Sequence, residues 1–441
     1  MYNYHINEIT HLSKYIFTDV PDIVPIIFIL TREKISDLIK VNILKNGLKQ
    51  VELTNNNYEI INYIDPENWK AQKDSAFNIY LNSSINFLLS KIRKNTYQVA
   101  EKFEVSYGIK KGNNEKYLSS APNGDNFVPC LEKGAEIQRY NLEWFGKYID
   151  YGSHLPGYKR QSLSVPKIII QYTRKLSMKR RIVAGFDIEG KFYPLNRFSY
   201  ITSSSKLDLD ELLYLMAILN STTLNFFHAN TFIDYDIKPT YLKKLPIRRI
   251  SFTTPAPERA QMVTKLQQLY AEGNRAEILA RVDACLPKDA AGNFIADQEK
   301  SDVMHDLLAF LAERMLEMNK QKQQEIKGFL SWLEGFVGAR VEDLTPKTKL
   351  QSYYEHDYES FLAVLKKNRK KLAVDPARRE PGEALRAEFE GSVGKLGPLR
   401  ERIRQTDELI DAVVYRLYGL TEEEIAIVEG REITKSHCLQ Q

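Results

Sequence analysis

The sequence predicts an α+β chain in which a mixed, β-rich domain is followed by a mostly α-helical one. Three observations carry that prediction. Residues 167–250 run as a strand, a hairpin, an amphipathic helix and an aromatic-rich turn. At Thr253-Thr254-Pro255-Ala256-Pro257-Glu258 the composition shifts from Ile, Asn and Tyr to Ala, Glu, Leu, Gln and Arg. Beyond that break Met304, Leu308, Leu311, Met315 and Met318 recur at alternating steps of four and three, the spacing of an apolar seam along a helix. With 441 residues the chain is long enough for two or three domains, each with its own core.

Taken in order, residues 1–50 hold a polar-apolar stretch, a Pro21-Asp22 turn and an apolar run at 23–30. Such a run bounded by turn signals predicts a strand buried on both faces, as in a parallel or mixed sheet. One strand is no domain, so these residues read as part of something larger. Asn55-Asn56-Asn57 and Asp65-Pro66 mark residues 51–89 as a linker with a helix at 77–89. The third region, 90–250, is punctuated by the turns Lys111-Gly112-Asn113-Asn114 and Pro122-Asn123-Gly124-Asp125. Alternation within 167–172 places Ile168, Ile170 and Tyr172 on one face and Lys167, Ile169 and Gln171 on the other, the basic residue exposed. A helix starts near Asp208 with Glu211 as a capping partner. It carries Leu212, Leu215, Met216 and Leu219 on one face and ends at Leu219-Asn220-Ser221.

The last region, 258–430, has helical periodicity nearly throughout. Ile326, Leu330, Leu333 and Val337 resume the seam before Gly338, which predicts one long helix or a helical hairpin packed along another helix. Ile410, Val413, Val414 and Leu417 form one face, Gly419 stops that helix, and Thr421 with Glu424 makes a capping box for a final short one.

Charge narrows the function classes. A net +5, from 62 Lys and Arg against 57 Asp and Glu, is too mild to imply a polyanionic partner, so local clustering decides. Lys167, Arg174, Lys175, Lys179, Arg180 and Arg181 have only neutral residues between them, and residues 173–181 alone carry five cations. Together with Tyr172, and with Lys243 and Lys244 further on, they suit a polyphosphate with stackable bases. The competing reading is a solvated loop. Cys130, Cys285 and Cys438 are widely spaced and odd in number, which predicts reduced thiols in a cytoplasmic protein. The longest apolar run is too short for a membrane helix, and no secretory signal opens the sequence.

Catalytic motifs are sparse. Asp187-Ile188-Glu189-Gly190-Lys191 has the Glu-x-Lys spacing of metal-dependent nucleases, yet it also reads as a hairpin turn, and Glu325-Ile326-Lys327 repeats the spacing on a helix. His154, in Tyr151-Gly152-Ser153-His154, and Asp234-Tyr235-Asp236 bring no partner set with them. Pro-Pro does not occur, and no Gly-x-Gly follows a predicted strand. The sequence therefore nominates no catalytic, cofactor-binding or metal-ligating residue.

Two segments carry a family resemblance. Residues 410–430, IDAVVYRLYGLTEEEIAIVEG, strongly resemble the C-terminal sequence of type IIG restriction–modification methyltransferases. Their pattern Ile-Asp-x-x-Val-Tyr-x-Leu-Tyr-Gly-Leu-Thr-x-x-Glu-Ile is matched from Ile410 to Ile425. The order of pieces in 167–250 resembles the target-recognition domain of adenine-specific DNA methyltransferases. Phe17-Thr18-Asp19-Val20 is similar to the loop before a closing strand of their catalytic domain.

The resemblance implies that 1–50 are the terminal strands of a truncated methyltransferase sheet, 90–250 a DNA target-recognition domain and 258–430 a helical appendix. Members of that family flip an adenine out of duplex DNA and methylate it with S-adenosylmethionine. For this chain it implies sequence recognition on double-stranded DNA for an N6-adenine methyltransferase of a bacterial defence system. The candidate contacts are Lys167, Tyr172, Arg174, Lys175, Lys179, Arg180, Arg181, Lys243 and Lys244. With both methyltransferase motifs missing, the cofactor is expected on a partner catalytic chain or a missing N-terminal half, and this chain alone is expected to be inactive. A Mg-dependent DNA nuclease and a helical interaction scaffold are the alternatives.

Overall fold

The computed structural model describes residues 4–12, 25–44, 58–64, 83–112, 114–159, 163–175, 177–203, 209–232 and 234–431. The fold is α+β, with several small sheets and a helical C-terminal region, as the periodicities predict.

Strands β1 (His5–His11), β2 (Ile26–Thr31), β3 (Ile39–Leu44) and β4 (Tyr58–Ile64) form a sheet of order β2-β1-β3-β4, in which β1 and β3 are parallel. Ile9, Val41, Ile43 and Ile64 make its small core. Here one expectation is corrected. Ile26 to Leu30 are each 45–50% exposed rather than buried, because β2 is an edge strand and the core lies beneath the other three. An apolar run reports affinity for cover, not the presence of it. The loop at 17–20 and the linker signals at 55–57 and 65–66 lie outside the described residues.

Helix α1 (Ser83–Arg93) follows, with 77–82 outside the described residues. Next come β5 (Thr96–Gln98), β6 (Phe103–Tyr107), β7 (Leu118–Ser119), β8 (Phe127–Leu131), β9 (Ile137–Gln138), β10 (Asn141–Leu142) and β11 (Lys147–Asp150). They are followed by β12 (Lys167–Gln171), β13 (Ala184–Asp187), β14 (Tyr193–Pro194), β15 (Phe198–Ser203) and β16 (Pro246–Arg248). Two four-stranded sheets result, β13-β12-β15-β6 and β14-β8-β11-β7.

Helix α2 (Leu209–Asn220) lies over the first of these sheets, on the face that carries Ile168, Ile170 and Ile201. The other face, with Ile169, Phe198 and Tyr200, joins Cys130, Leu131 and Ile149 of the second sheet. A strand covered on both sides must be apolar on both sides, which accounts for Ile168-Ile169-Ile170. The two-face alternation predicted for β12 thus has no solvent side, and Lys167 is fully buried. Gly185 on β13 is required by close approach: a Cβ there would stand 2.6 Å from the Asn141 carbonyl oxygen.

Beyond α3 (Thr222–Thr231), whose first turn is capped by Ser221, come α4 (Ala256–Glu272), α5 (Arg275–Cys285) and α6 (Ser301–Val337). Then follow α7 (Tyr358–Lys367), α8 (Arg379–Leu417) and α9 (Glu422–Glu429). The seam from Met304 to Val337 is one helix of 37 residues, roughly 55 Å long at the α-helical rise. Its N-terminal half packs beside the C-terminal half of α8 and the reverse holds at the far end, so the two run antiparallel. Gly419 takes φ +69°, and Thr421 with Glu424 closes the predicted capping box.

The composition break at 253–258 changes the kind of element without separating two cores. Leu212, Leu219, Leu266, Leu308 and Val413 belong to one cluster that spans it. Thr254 is buried at the break, its amide and hydroxyl each donating to the Asp302 carboxylate at 2.8 Å. A separate distal core gathers Phe329, Tyr353, Phe361 and Phe389 between the far ends of α6 and α8. Among the described residues no helix is long and apolar enough to cross a membrane.

Candidate nucleic-acid interface

In the basic stretch 167–181 Lys167 and Arg181 are buried, against the expectation of exposed cations, and Arg180 is half-buried and ion-paired. The Lys167 ammonium sits 2.8 Å from the Asp187 carboxylate and donates to the Leu163 and Val165 carbonyls. Burial lowers its pKa against the pull of Asp187. Arg181 is 1% exposed and donates to the carbonyls of Phe232 and Asp234. Arg180 pairs with Asp407 at 3.1 Å and Asp411 at 2.7 Å on α8. Asp411 in turn accepts from the Thr222 amide and hydroxyl at the start of α3, and burial raises its pKa. These cations hold the fold together.

The remaining candidates stand at the surface. Lys175 and Lys179 are exposed on a turn closed by the Met178 amide and the Lys175 carbonyl. Tyr172 is half-buried, with its ring edge-on to Tyr107 at 4.8 Å. The Arg174 guanidinium donates to Gln171 Oε1 at 3.0 Å and the Arg180 carbonyl at 3.3 Å. Burial lowers its pKa, and its Nε is buried without a partner. Lys243 and Lys244 are exposed beyond the turn Pro239–Leu242.

Two clefts meet at Gln171, whose side-chain amide donates to the Gly134 carbonyl at 2.7 Å and to that of Ile137. The first, about 420 Å³, lies between β9, β12 and the facing sides of α6 and α8. Arg139, Arg174, Lys322, Arg400 and Arg404 line it, with Asp407. Arg139 is neutralised by Asp407 at 2.8 Å, and Arg404 by Glu401 and Glu408. Among the described residues, no ion pair involves Arg174, Lys322 or Arg400. Lys322 and Arg400 flank the Tyr354 ring at 5.3 and 5.0 Å, and burial, with the Arg400 charge, lowers the Lys322 pKa. The second cleft, about 660 Å³, is lined by Tyr107, Lys110, Lys133, Thr173 and Arg197. Lys110, Lys133 and Arg197 are exposed there, while Lys111 is taken up by Glu132 at 2.6 Å. Lys243 and Lys244 line neither cleft.

The result is a cationic groove built from six separate stretches of chain. Of these residues the sequence reading named Arg174 and did not name Lys110, Lys133, Arg197, Lys322 or Arg400. The Lys110-Lys111 pair beside Gly112 was a usable signal. Nothing local distinguishes Lys322 or Arg400 from any other helical cation.

The other motifs resolve into structure. Asp187 accepts from the Lys191 and Phe192 amides across Gly190, at φ +70°, and Glu189 pairs with Lys191 on the exposed tip. Asp234 is held by Lys238 and Tyr241. His154 Nε2 lies 3.0 Å from the Asp150 carbonyl. Among the described residues no cluster of three or more His, Cys, Asp or Glu side chains is placed to hold a metal ion. Burial pushes the Cys130 thiol up to about 12 and that of Cys285 to about 11, far from the thiolate form.

Residues 129–247 match the TaqI-like C-terminal specificity domain, and residues 301–414 match a domain of unknown function, DUF8810. No curated protein matches the sequence. Among solved structures, the chain is similar to the type IIL restriction-modification enzyme MmeI in complex with DNA. That similarity has 12% identity and a TM-score of 0.34, covering 70% of this chain and 42% of that one. It is similar also to the type IIG restriction endonuclease BpuSI, at 10% identity and a TM-score of 0.29, covering 70% and 43%. The chain spans less than half the length of either.

Proposed function

We propose that this chain recognises a DNA sequence for a restriction–modification system, serving an S-adenosylmethionine-dependent N6-adenine methyltransferase whose catalytic and cofactor residues lie elsewhere. One coincidence supports the reading. The segment 129–247 that matches a specificity domain contributes Lys133, Arg139, Gln171, Arg174 and Arg197 to the groove. Cations that have no carboxylate partner among the described residues, on both sides of a groove, suit a phosphate backbone, which fixes register. Lys110, Lys133, Arg197, Lys322 and Arg400 are assigned that role, with the exposed Lys175 and Lys179 as secondary contributors. Arg174 is assigned to a base edge, because its fork is oriented by Gln171 and the Arg180 carbonyl. The Tyr107–Tyr172 pair offers an aromatic surface beside it. Methyl transfer itself is not routed through any residue of this chain.

The test is selection from a pool of random duplexes by the purified chain at near-physiological salt. Recovery of one enriched sequence, bound more weakly by the Arg174→Ala variant, is the expected result. Binding without enrichment would leave a nonspecific nucleic-acid binder and end the claim of recognition.

A further inference from the structure

The most basic stretch of the molecule lies outside the groove. Residues 365–372 read Leu-Lys-Lys-Asn-Arg-Lys-Lys-Leu, with five cations in the six positions 366–371. They leave α7 at its C-terminus and form one further 3-10 turn, Arg369–Lys371. Lys366, Lys367, Arg369, Lys370 and Lys371 are all exposed. Asn368, in their midst, is 7% exposed and fastens the turn: its Oδ1 accepts from the Thr345 amide at 3.1 Å, and its Nδ2 donates to the Thr345 and Val364 carbonyls at 2.8 Å. Leu365 beneath is fully buried in the distal core.

Among the described residues, no ion pair involves any of the five cations. Lys371 donates to the Asp343 carbonyl at 2.7 Å, which leaves its charge uncancelled. Lys366 and Lys367 complement the C-terminal dipole of α7, but Arg369, Lys370 and Lys371 lie past the helix and gain little from it. Five like charges displayed on a fastened turn repel one another unless an anion lies between them.

We propose that this turn is a second nucleic-acid site, which takes the phosphodiester backbone of duplex DNA flanking the segment held in the groove. The proposal rests on the function proposed above. The Ala373 amide donates to the Val337 carbonyl, placing the turn beside the end of α6. At the helical rise that end lies roughly 22 Å beyond Lys322, or about six to seven base pairs of B-form duplex. Contacts there carry no sequence information and lengthen the footprint.

The test compares the full chain with a Lys366→Gln/Lys367→Gln/Arg369→Gln/Lys370→Gln variant on duplexes of about 12 and about 30 base pairs across a salt series. Matching melting temperatures establish that the variant is folded. Wild type is expected to bind the long duplex at least tenfold more tightly than the short one, with a steeper salt dependence. The variant is expected to lose that advantage, its salt slope on the long duplex falling by about two units or more, while its short-duplex affinity is unchanged. Equal behaviour of variant and wild type on the long duplex assigns the turn to solvent or another acidic partner and overturns the proposal. Failure of wild type to bind either duplex overturns the groove reading as well, so the two failures are distinguishable.

Discussion

Residues 167–181 and the facing sides of α6 and α8 both present cations to the region around Gln171, and they hold them differently. In the first, Lys167, Arg180 and Arg181 are consumed by Asp187, by Asp407 with Asp411, and by backbone carbonyls. In the second, Lys322 and Arg400 lie against the Tyr354 ring, Arg400 also donating to the Tyr354 carbonyl, and among the described residues no carboxylate is in ion-pair reach of either. Density of charge along the chain therefore says little about charge offered to a ligand. The useful quantity is the cation left over once long-range carboxylates are counted, and of these two regions it is the groove walls on α6 and α8 that keep such a surplus.

The largest effect expected on the consumed side is at Lys167. Lys167→Met leaves the Asp187 carboxylate buried with only amide partners and is expected to cost about 3–5 kcal/mol in denaturant unfolding. A loss below about 1 kcal/mol would mean that Lys167 is not a structural cation. Next comes His228, fully buried near Arg181, with both ring nitrogens lacking a hydrogen-bond partner. Burial, then the Arg181 charge, push its pKa from 6.5 down to about 3. The unfolded chain takes up a proton near pH 6.5 that the folded chain refuses until about pH 3. Its contribution is thus complete above pH 6.5 and is lost as pH falls through that window, by about 1.4 kcal/mol per unit. His228→Leu is expected to flatten the stability–pH curve there. An unchanged curve would show that other groups set the acid sensitivity.

On the offered side the smallest effect belongs to the turn at 173–181. Lys175→Ala/Lys179→Ala is expected to weaken duplex binding only a few-fold at low salt, because exposed lysines are strongly screened. A loss of a hundredfold would move the interface from the groove to the turn.

The same comparison explains what could be read in advance. Helix α2, the long seam of α6, the stop at Gly419 and the capping box at Thr421 follow from periodicity and local bonding, so residues within one or two turns suffice to specify them. The pairing of Arg180 depends on carboxylates 227 and 231 residues away, which no local pattern announces. The exposed β2 failed for a related reason: Ile26 to Leu30 were legible as apolar, but the edge position that leaves them uncovered is a property of the sheet. Likewise the break at 253–258 was visible in composition, whereas the continuity of the core across it depends on contacts such as Thr254 with Asp302. Of the groove, Arg174 was legible. Lys322 and Arg400 acquire meaning only when α6 and α8 come together.

The central claim is that the groove's unpaired cations, rather than the basic turn at 173–181, bind the phosphate backbone. The direct measurement is the salt dependence of duplex affinity for Arg174→Ala/Lys322→Ala/Arg400→Ala beside Lys175→Ala/Lys179→Ala, each checked for an unchanged melting temperature. The account predicts that the triple variant loses at least tenfold in affinity at low salt and about two units of salt slope, near 0.9 per phosphate contact removed, while the double variant keeps most of both. A triple variant with the wild-type slope, alongside a double variant that loses it, would contradict the account.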